Sequence, residues 1–210
     1  GSFATGSLLS GGPSGASAVT GSPISSDGSV FMGIDGRVYK LTPDFNGSST
    51  INAAGFSPNA SSQPTLLAPS QLLVPATDSG VSAVDVAGAA ALWTATPRNG
   101  PTALAVSSSP AVGRDSGGQN QVYFGAASGR FTAATATGAQ AWSYTGTGAV
   151  SSPKIGCNGV AYAGTSAGRV FALVTDSTGP AETPWPTFQH DNRNTGNTAT
   201  PIYSGGVCQE

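Results

Sequence analysis

Val30-Phe31-Met32-Gly33-Ile34-Asp35-Gly36-Arg37-Val38-Tyr39 reads as two short apolar strands joined by a tight glycine turn, and the chain repeats this phrase three more times. The second copy runs from Leu72-Leu73-Val74-Pro75 through Gly80-Val81-Ser82-Ala83-Val84. The third runs from Val122-Tyr123-Phe124-Gly125 through Gly129-Arg130-Phe131-Thr132-Ala133. The fourth runs from Val160-Ala161-Tyr162-Ala163-Gly164 through Gly168-Arg169-Val170-Phe171-Ala172-Leu173. The turn glycines Gly36, Gly80, Gly129 and Gly168 are spaced by 44, 49 and 39 residues, the period of a radially repeated all-β array.

Each unit opens on a proline, in Ser22-Pro23, Gln63-Pro64, Ser109-Pro110 and Ser152-Pro153. Proline fixes φ and lacks a donor, which suits the first residue of an inner-edge strand. Each unit then continues into an outer strand that carries a large aromatic. The pattern is clearest from Thr137-Gly138 to Trp142, is present from Gly88 to Trp93, and is longer from Thr178-Gly179 to Trp185. The first unit has Phe45 or Phe56 instead. Four strands per unit predict an all-β propeller of about four four-stranded blades over residues 23–196. Residues 1–22 form a Gly/Ser-rich lead with at most one strand, and residues 197–210 a tail. Residues 43–63, 94–108 and 113–121 read as irregular connections.

Composition narrows the function classes. Only 9% of residues are charged and the net charge is -2, so no basic stripe exists to follow a phosphate backbone, and nucleic acid is not an expected partner. No apolar run approaches 18 residues, so no membrane span is expected. The first residues carry neither a basic leader nor a cleavage site, so the chain reads as mature, as a piece of a longer polypeptide, or as starting with a cloning remnant. Cys157 and Cys208 are the only cysteines; a bridge between them would tie the tail to the last unit. It would contribute about 4 kcal/mol at most in the chain-entropy description. Two unrelated buried thiols are the other reading. The oxidised pair implies a secreted, periplasmic or cell-surface home.

The phrase Gly-Arg-Val-Phe-Ala-Leu followed by Thr-Gly and Trp resembles the repeat of the PQQ-like β-propellers. That family includes quinoprotein dehydrogenases and non-catalytic propeller lipoproteins of outer-membrane assembly. The resemblance implies a docking motif in which the indole of one blade packs on an alanine and a Thr-Gly turn of the next. The indole role falls on Trp93, Trp142 and Trp185, and the turn glycine on Gly138 and Gly179, with Gly88 one place early. Ala83 and Ala172 fit the alanine; Thr132 and Lys40 depart from it. Trp185-Pro186-Thr187-Phe188-Gln189-His190-Asp191-Asn192-Arg193-Asn194-Thr195-Gly196 is also similar to a closing segment at the termini of bacterial members. Relatives usually close with more than four blades. This chain therefore reads as half of a larger ring or as one completed by another chain or a second copy.

Residue chemistry points away from catalysis. A quinoprotein would need adjacent cysteines and a calcium seat of several oxygen ligands, whereas the only glutamates are Glu182 and Glu210. No cofactor and no metal is expected. Asp115-Ser116-Gly117-Gly118 is similar to the nucleophile loop of chymotrypsin-like proteases, yet the sole histidine, His190, lies in the closing segment, and a polar hairpin turn explains the loop. His190-Asp191 lacks the further ligands zinc takes, and hydrogen bonding of Asp191 and Asn194 to turn amides is the simpler role. Asn46-Gly47-Ser48 and Asn59-Ala60-Ser61 match the glycosylation pattern but read as polar turns. Arg37, Arg130 and Arg169 recur at one repeat position; they either ring an acidic partner or pack their stems beside the tryptophans, and packing is the expectation. The expected function is a non-catalytic protein-binding scaffold. A residual quinoprotein or carbohydrate-active enzyme, and the sensory ectodomain of a receptor, are the alternatives.

Overall fold

The computed structural model describes residues 22–34, 37–44, 46–51, 62–76, 80–87 and 90–209. Among these there is no helix, and antiparallel sheets stand one after another along the chain. Blade 1 comprises β1 (Val30–Ile34), β2 (Arg37–Leu41) and β3 (Ser48–Ile51), with Ile24 bridged to Val30 at its inner side. Blade 2 is β4 (Thr65–Ala68), β5 (Gln71–Ala76), β6 (Gly80–Asp85) and β7 (Ala91–Ala95). A small hairpin follows, β8 (Arg98–Asn99) and β9 (Thr102–Ala103). Blade 3 is β10 (Ala111–Asp115), β11 (Asn120–Gly125), β12 (Arg130–Thr135) and β13 (Gln140–Thr145). Blade 4 has β14 (Lys154–Ile155), β15 (Val160–Gly164) and β16 (Val170–Val174). The chain then forms β17 (Ser177–Pro180) and ends in the hairpin β18 (Tyr203–Ser204) and β19 (Val207–Cys208).

Side chains alternate between the two faces of a strand, so every blade offers a leading face to the blade before it and a trailing face to the blade after it. Phe31, Val38 and Ile51 of blade 1 pack on Leu72, Val74 and Val84 of blade 2. The opposite face of blade 2, Leu73, Val81, Ala83 and Ala95, meets Val112, Val122, Phe124 and Ala134. Blade 3 turns Ala111, Tyr123, Phe131 and Ala133 to Ile155, Ala161 and Ala163 of blade 4. The core is thus three seams between blades, where each fully buried large apolar side chain contributes about 1.5–3 kcal/mol.

The repeat is written into polar contacts too. The Gln63 N–H donates to the Ser109 hydroxyl at 2.7 Å, and the Ser109 N–H donates to the Ser152 hydroxyl at 2.9 Å, so successive unit openings are tied around the axis. One residue earlier, Ser108 accepts the Gly125 N–H at 2.7 Å and Ser151 accepts the Gly164 N–H at 2.9 Å. Ser62 holds the same place in blade 2, but there Pro75 stands where the others have glycine. Proline has no N–H, and the buried Ser62 hydroxyl has no partner.

Several expectations need correction. All three supposed irregular connections contain strand residues: β3 lies within 43–63, and the β10–β11 hairpin closes inside 113–121. The stretch 94–108 holds the β8–β9 hairpin. Among the described residues blade 4 has no outer strand, because Thr178-Gly179 runs to the inner edge of blade 3, where β17 pairs with β10. The lead up to residue 21, together with Phe45, Phe56, Asn59, Gly36 and Gly88, lies outside the described residues.

The orphaned serine makes a discriminating pair of substitutions. Ser108→Ala strands a buried amide and is expected to cost about 1–3 kcal/mol in denaturant unfolding, whereas Ser62→Ala leaves stability unchanged or slightly higher. Equal losses at both positions would contradict the register described above.

Candidate functional site: the axial segment and its cleft

Residues 177–196 run along the inner edges of the blades, and local sequence explains the route. Gly113 lacks the Cβ that would lie 2.3 Å from the Ser177 hydroxyl, so β17 can approach β10, pairing Gly113 with Pro180 and Arg114 with Gly179. The buried Ser177 hydroxyl sits 2.8 Å from the Tyr123 hydroxyl. Beyond β17 the Ala181 N–H donates to the Val112 carbonyl and the Val112 N–H to the Pro186 carbonyl, at 2.9 and 2.7 Å. The Leu66 N–H donates to the Trp185 carbonyl at 2.9 Å, carrying the segment from blade 3 to blade 2. The Trp185 indole is buried in the seam between blades 1 and 2.

The turn after Trp185 is held by polar groups from blades 2 and 4. Lys154 of β14 donates to the Phe188 and Asp191 carbonyls at 2.6 and 2.7 Å. The Gln189 N–H donates to the Gln63 side chain at 3.1 Å, and the Asn192 amide to the Ile155 carbonyl at 2.8 Å. Gln189, His190 and Asn194 all have positive φ, of 55°, 76° and 56°. Such a turn is costly for non-glycine residues and persists because its surroundings hold it. The Asp191 carboxylate accepts the Thr195 N–H at 3.0 Å and the Thr195 hydroxyl at 2.7 Å.

The electrostatics follow from this burial. Burial pushes the Lys154 ammonium down to about 8, against the opposing pull of the Asp191 charge. His190 packs edge-on to Trp185, with ring centres 5.2 Å apart, and burial lowers its pKa despite Asp191 at 3.5 Å. Burial raises the Asp191 carboxyl, but the hydrogen bonds from Thr195 and the nearby His190 ring outweigh it and leave the group below its ordinary value. The three groups therefore sit as an ammonium, a neutral imidazole and a carboxylate at neutral pH. Lys154 and Asp191 make their hydrogen bonds to other parts of this chain.

Above this segment lies an open cleft of about 550 Å³. Ser26, Pro69 and Asn120, from the first turns of blades 1 to 3, line it on one side, and Glu182, Thr183, His190, Ile202 and Tyr203 on the other. Glu182 pairs with Arg114 at 3.4 Å on the surface. The tail is fastened by the Cys157–Cys208 disulfide and by the Tyr203 hydroxyl donating to the Pro180 carbonyl at 2.9 Å.

The structure separates the residues to which a docking role was assigned. Trp93 lies against Gly138, where an added Cβ would sit 2.6 Å from the indole, and packs on the seam between blades 2 and 3. Trp142 lies on the seam between blades 3 and 4, with ring centres 5.8 Å from Phe131 and 6.0 Å from Tyr123. Two assignments are corrected. Trp185 belongs to the axial segment and not to an outer strand, and Gly179 pairs with Arg114 at the axis, with the Tyr203 hydroxyl close by. Ala172 is exposed.

The remaining motifs have local structural roles. Asp115 closes its hairpin by accepting the Gln119 N–H at 2.8 Å. Arg130 donates to the Arg98 carbonyl, Ser143 and Thr145, stapling the β8–β9 hairpin to blade 3. Arg37 and Arg169 are exposed. Asn46 donates its side-chain amide to Asp44. Among the described residues no three His, Cys, Asp or Glu side chains gather as metal ligands. Sequence reasoning missed Lys154 and Gln63; the proline-flanked unit openings that contain them were visible, but the segment they grip is distant in sequence.

A family profile described as outer membrane protein assembly factor BamB matches residues 3–197. Among solved structures, the chain is similar to the computationally designed Ika4 protein, with a TM-score of 0.58, 16% identity, and coverage of 75% of this chain and 91% of that one. It is also similar to the designed Ika8 protein, with a TM-score of 0.56, 16% identity and coverage of 76% and 46%. A chain of the mitotic checkpoint complex gives a TM-score of 0.57, 15% identity and coverage of 80% and 53%. At these identities the likeness is one of fold. The chain spans about half the length of the last two. No curated protein matches it. The chain belongs to the BamB family of PQQ-repeat β-propellers.

His190 is the only histidine, so its two carbon-bound ring protons report a single imidazole titration by NMR. Its midpoint is expected below 6.5. With the folded pKa depressed, the unfolded chain takes the proton first, so stability is lost as pH falls below about 6.5 through the folded value. A midpoint at or above 6.5 would mean that the ring is not buried against Trp185. Trp185→Ala is expected to cost about 3–5 kcal/mol in denaturant unfolding; a loss below 1 kcal/mol would show that the indole closes nothing.

Proposed function

We propose, from membership of this propeller family, that the chain is a non-catalytic, extracytoplasmic binding and structural scaffold. The observation that carries the reading is the occupied axis. Lys154 and Asp191, which could have served chemistry at the centre of a propeller, hold residues 185–196 in place instead. Trp93 and Trp142 act as docking residues that cement consecutive blades, and the blades and tail form one unit. The family's description as an assembly factor supports a role in which partner proteins are bound rather than transformed. The disulfide supports an oxidising home outside the cytoplasm.

The partner surface we assign is the cleft end of the axis. It combines apolar lining from Pro69, Ile202 and Tyr203 with exposed polar groups such as Glu182, a mixture suited to an extended polypeptide segment. A residual quinoprotein is the reading to eliminate. Equilibrium dialysis of the purified protein against pyrroloquinoline quinone and calcium is expected to show no retention. A photo-reactive amino acid at Tyr203, introduced in the cell envelope, is expected to give a protein adduct. Quinone retained at one equivalent would overturn the scaffold reading.

A further inference from the structure

We infer that the cleft receives an extended polypeptide segment bearing lysine or arginine, drawn to it because the two faces of the blade array differ in charge. This rests on the scaffold reading above and names the chemistry of the partner. The inference begins from topology. Antiparallel strands run alternately up and down, so the turns after the first and third strands of a blade lie on one face, with Ile24 counted as the first strand of blade 1. The turns after the second strand and the links between blades lie on the other. Ser26, Pro69 and Asn120 place the cleft on the first face. Asp27, Asp44, Asp85, Asp115 and Asp176 stand in or beside the turns of that face, and Glu182 lines the cleft itself. The remaining described carboxylate, Asp191, lies in the axial turn beside His190. The opposite face carries Arg37, Arg98, Arg130 and Arg169 and, among the described residues, no carboxylate. The cations nearest the cleft face are already engaged. Arg114 pairs with Glu182 at 3.4 Å, and Arg193 reaches Asp191 at 3.6 Å and the Pro201 carbonyl at 3.0 Å. Lys40 lies over the Phe31 ring, and Lys154 is covered by the axial turn. Carboxylates are thus in excess on the cleft face, and a field of one sign recruits and orients a partner of the other.

The cleft also holds polar groups that the chain itself leaves without partners. Thr183 is 8% exposed and its hydroxyl has no hydrogen bond; His190 is 2% exposed, with Nδ1 facing Asp191 at 3.5 Å and no hydrogen bond. Both residues line the cleft. Buried polar atoms are normally paired, so an unpaired one in a cleft wall marks a place where a ligand supplies the partner. The backbone indicates the form of that ligand. The bridge between Leu66 and Trp185 is isolated, and Ala68 and Thr183, the next opposed pair in that register, part around the cleft. An extended segment laid into this fork continues a ladder that the chain leaves open. Pro69, Pro201 and Ile202 flank the fork and suit the alkyl stems of lysine or arginine, whose charged ends reach the acidic rim.

Fluorescence anisotropy with the full chain tests this, using fluorescein-labelled peptides that alternate threonine with lysine or threonine with glutamate. The lysine peptide is expected to bind at least about tenfold more tightly at low salt, and the preference to shrink as salt screens it. Glu182→Gln, at an exposed position, is expected to weaken binding of the lysine peptide severalfold while the circular dichroism of the fold stays unchanged. Ser128→Lys makes the same change of net charge on the opposite face and is expected to leave that binding unaltered. Equal affinity for the two peptides, or equal effects of the two variants, would overturn the inference. The adduct formed at Tyr203 is expected to map to a partner segment that carries lysine or arginine. An adduct to an acidic segment, or to residues 1–21 of this chain, would overturn the inference as well. A protein adduct formed in the cell envelope while neither peptide binds would sink the charge reading and leave the scaffold role standing.

Discussion

The structure depends on one constraint: the inner edge strands of a propeller expose backbone donors and acceptors that need partners in a narrow space. This chain meets it with its own residues 177–196. The Val112 and Leu66 amides donate to the carbonyls of Pro186 and Trp185, and β17 pairs along β10. The same segment drives the Trp185 indole into the seam of blades 1 and 2. One length of chain thereby satisfies inner-edge groups of two blades and reinforces a third. The consequence appears at the periphery: residues that repeat arithmetic would place as the outer strand of blade 4 are used at the axis, and among the described residues β16 is an edge.

The seams explain why the blades tolerate so few charges. Their contacts are small apolar residues and aromatics meeting at fixed register, with hydroxyls reserved for ties between successive unit openings. The charged groups that are buried cluster around the axial turn. There the Lys154 ammonium meets carbonyls and the Asp191 carboxylate meets the Thr195 amide and hydroxyl. Burial of charge is tolerated where hydrogen bonds replace the water removed. This is why the pKa of Lys154 is lowered and that of Asp191 is held below its usual value.

Much of the fold was legible because the repeat is local. Strand, glycine turn and strand are set by residues within one unit, and Gly80, Gly129 and Gly168 occupy turn positions with positive φ. Trp93 and Gly138 could be matched because both belong to repeated phrases. The path of Thr178-Gly179 to Trp185 could not be read by analogy. Its direction is set by the space above Gly113, more than sixty residues earlier, and a missing Cβ has no local signature. The Gly100-Pro101 pair, by contrast, was a turn signal open to a closer reading, and β8–β9 forms around it. At the candidate site, His190 and Asp191 were recognisable as turn residues. Lys154 gave no sign of its role, because what buries it is the segment folded over it.

The most direct measurement is native-state hydrogen exchange at the Leu66 and Val112 amides, the two donors that receive the axial segment. If the segment is an integral inner strand, both amides exchange only when the blade cores open, as slowly as the central residues of β5 and β11. Exchange at the rate of an exposed loop amide such as Thr198 would show that the segment merely rests on the blades, and would contradict the account.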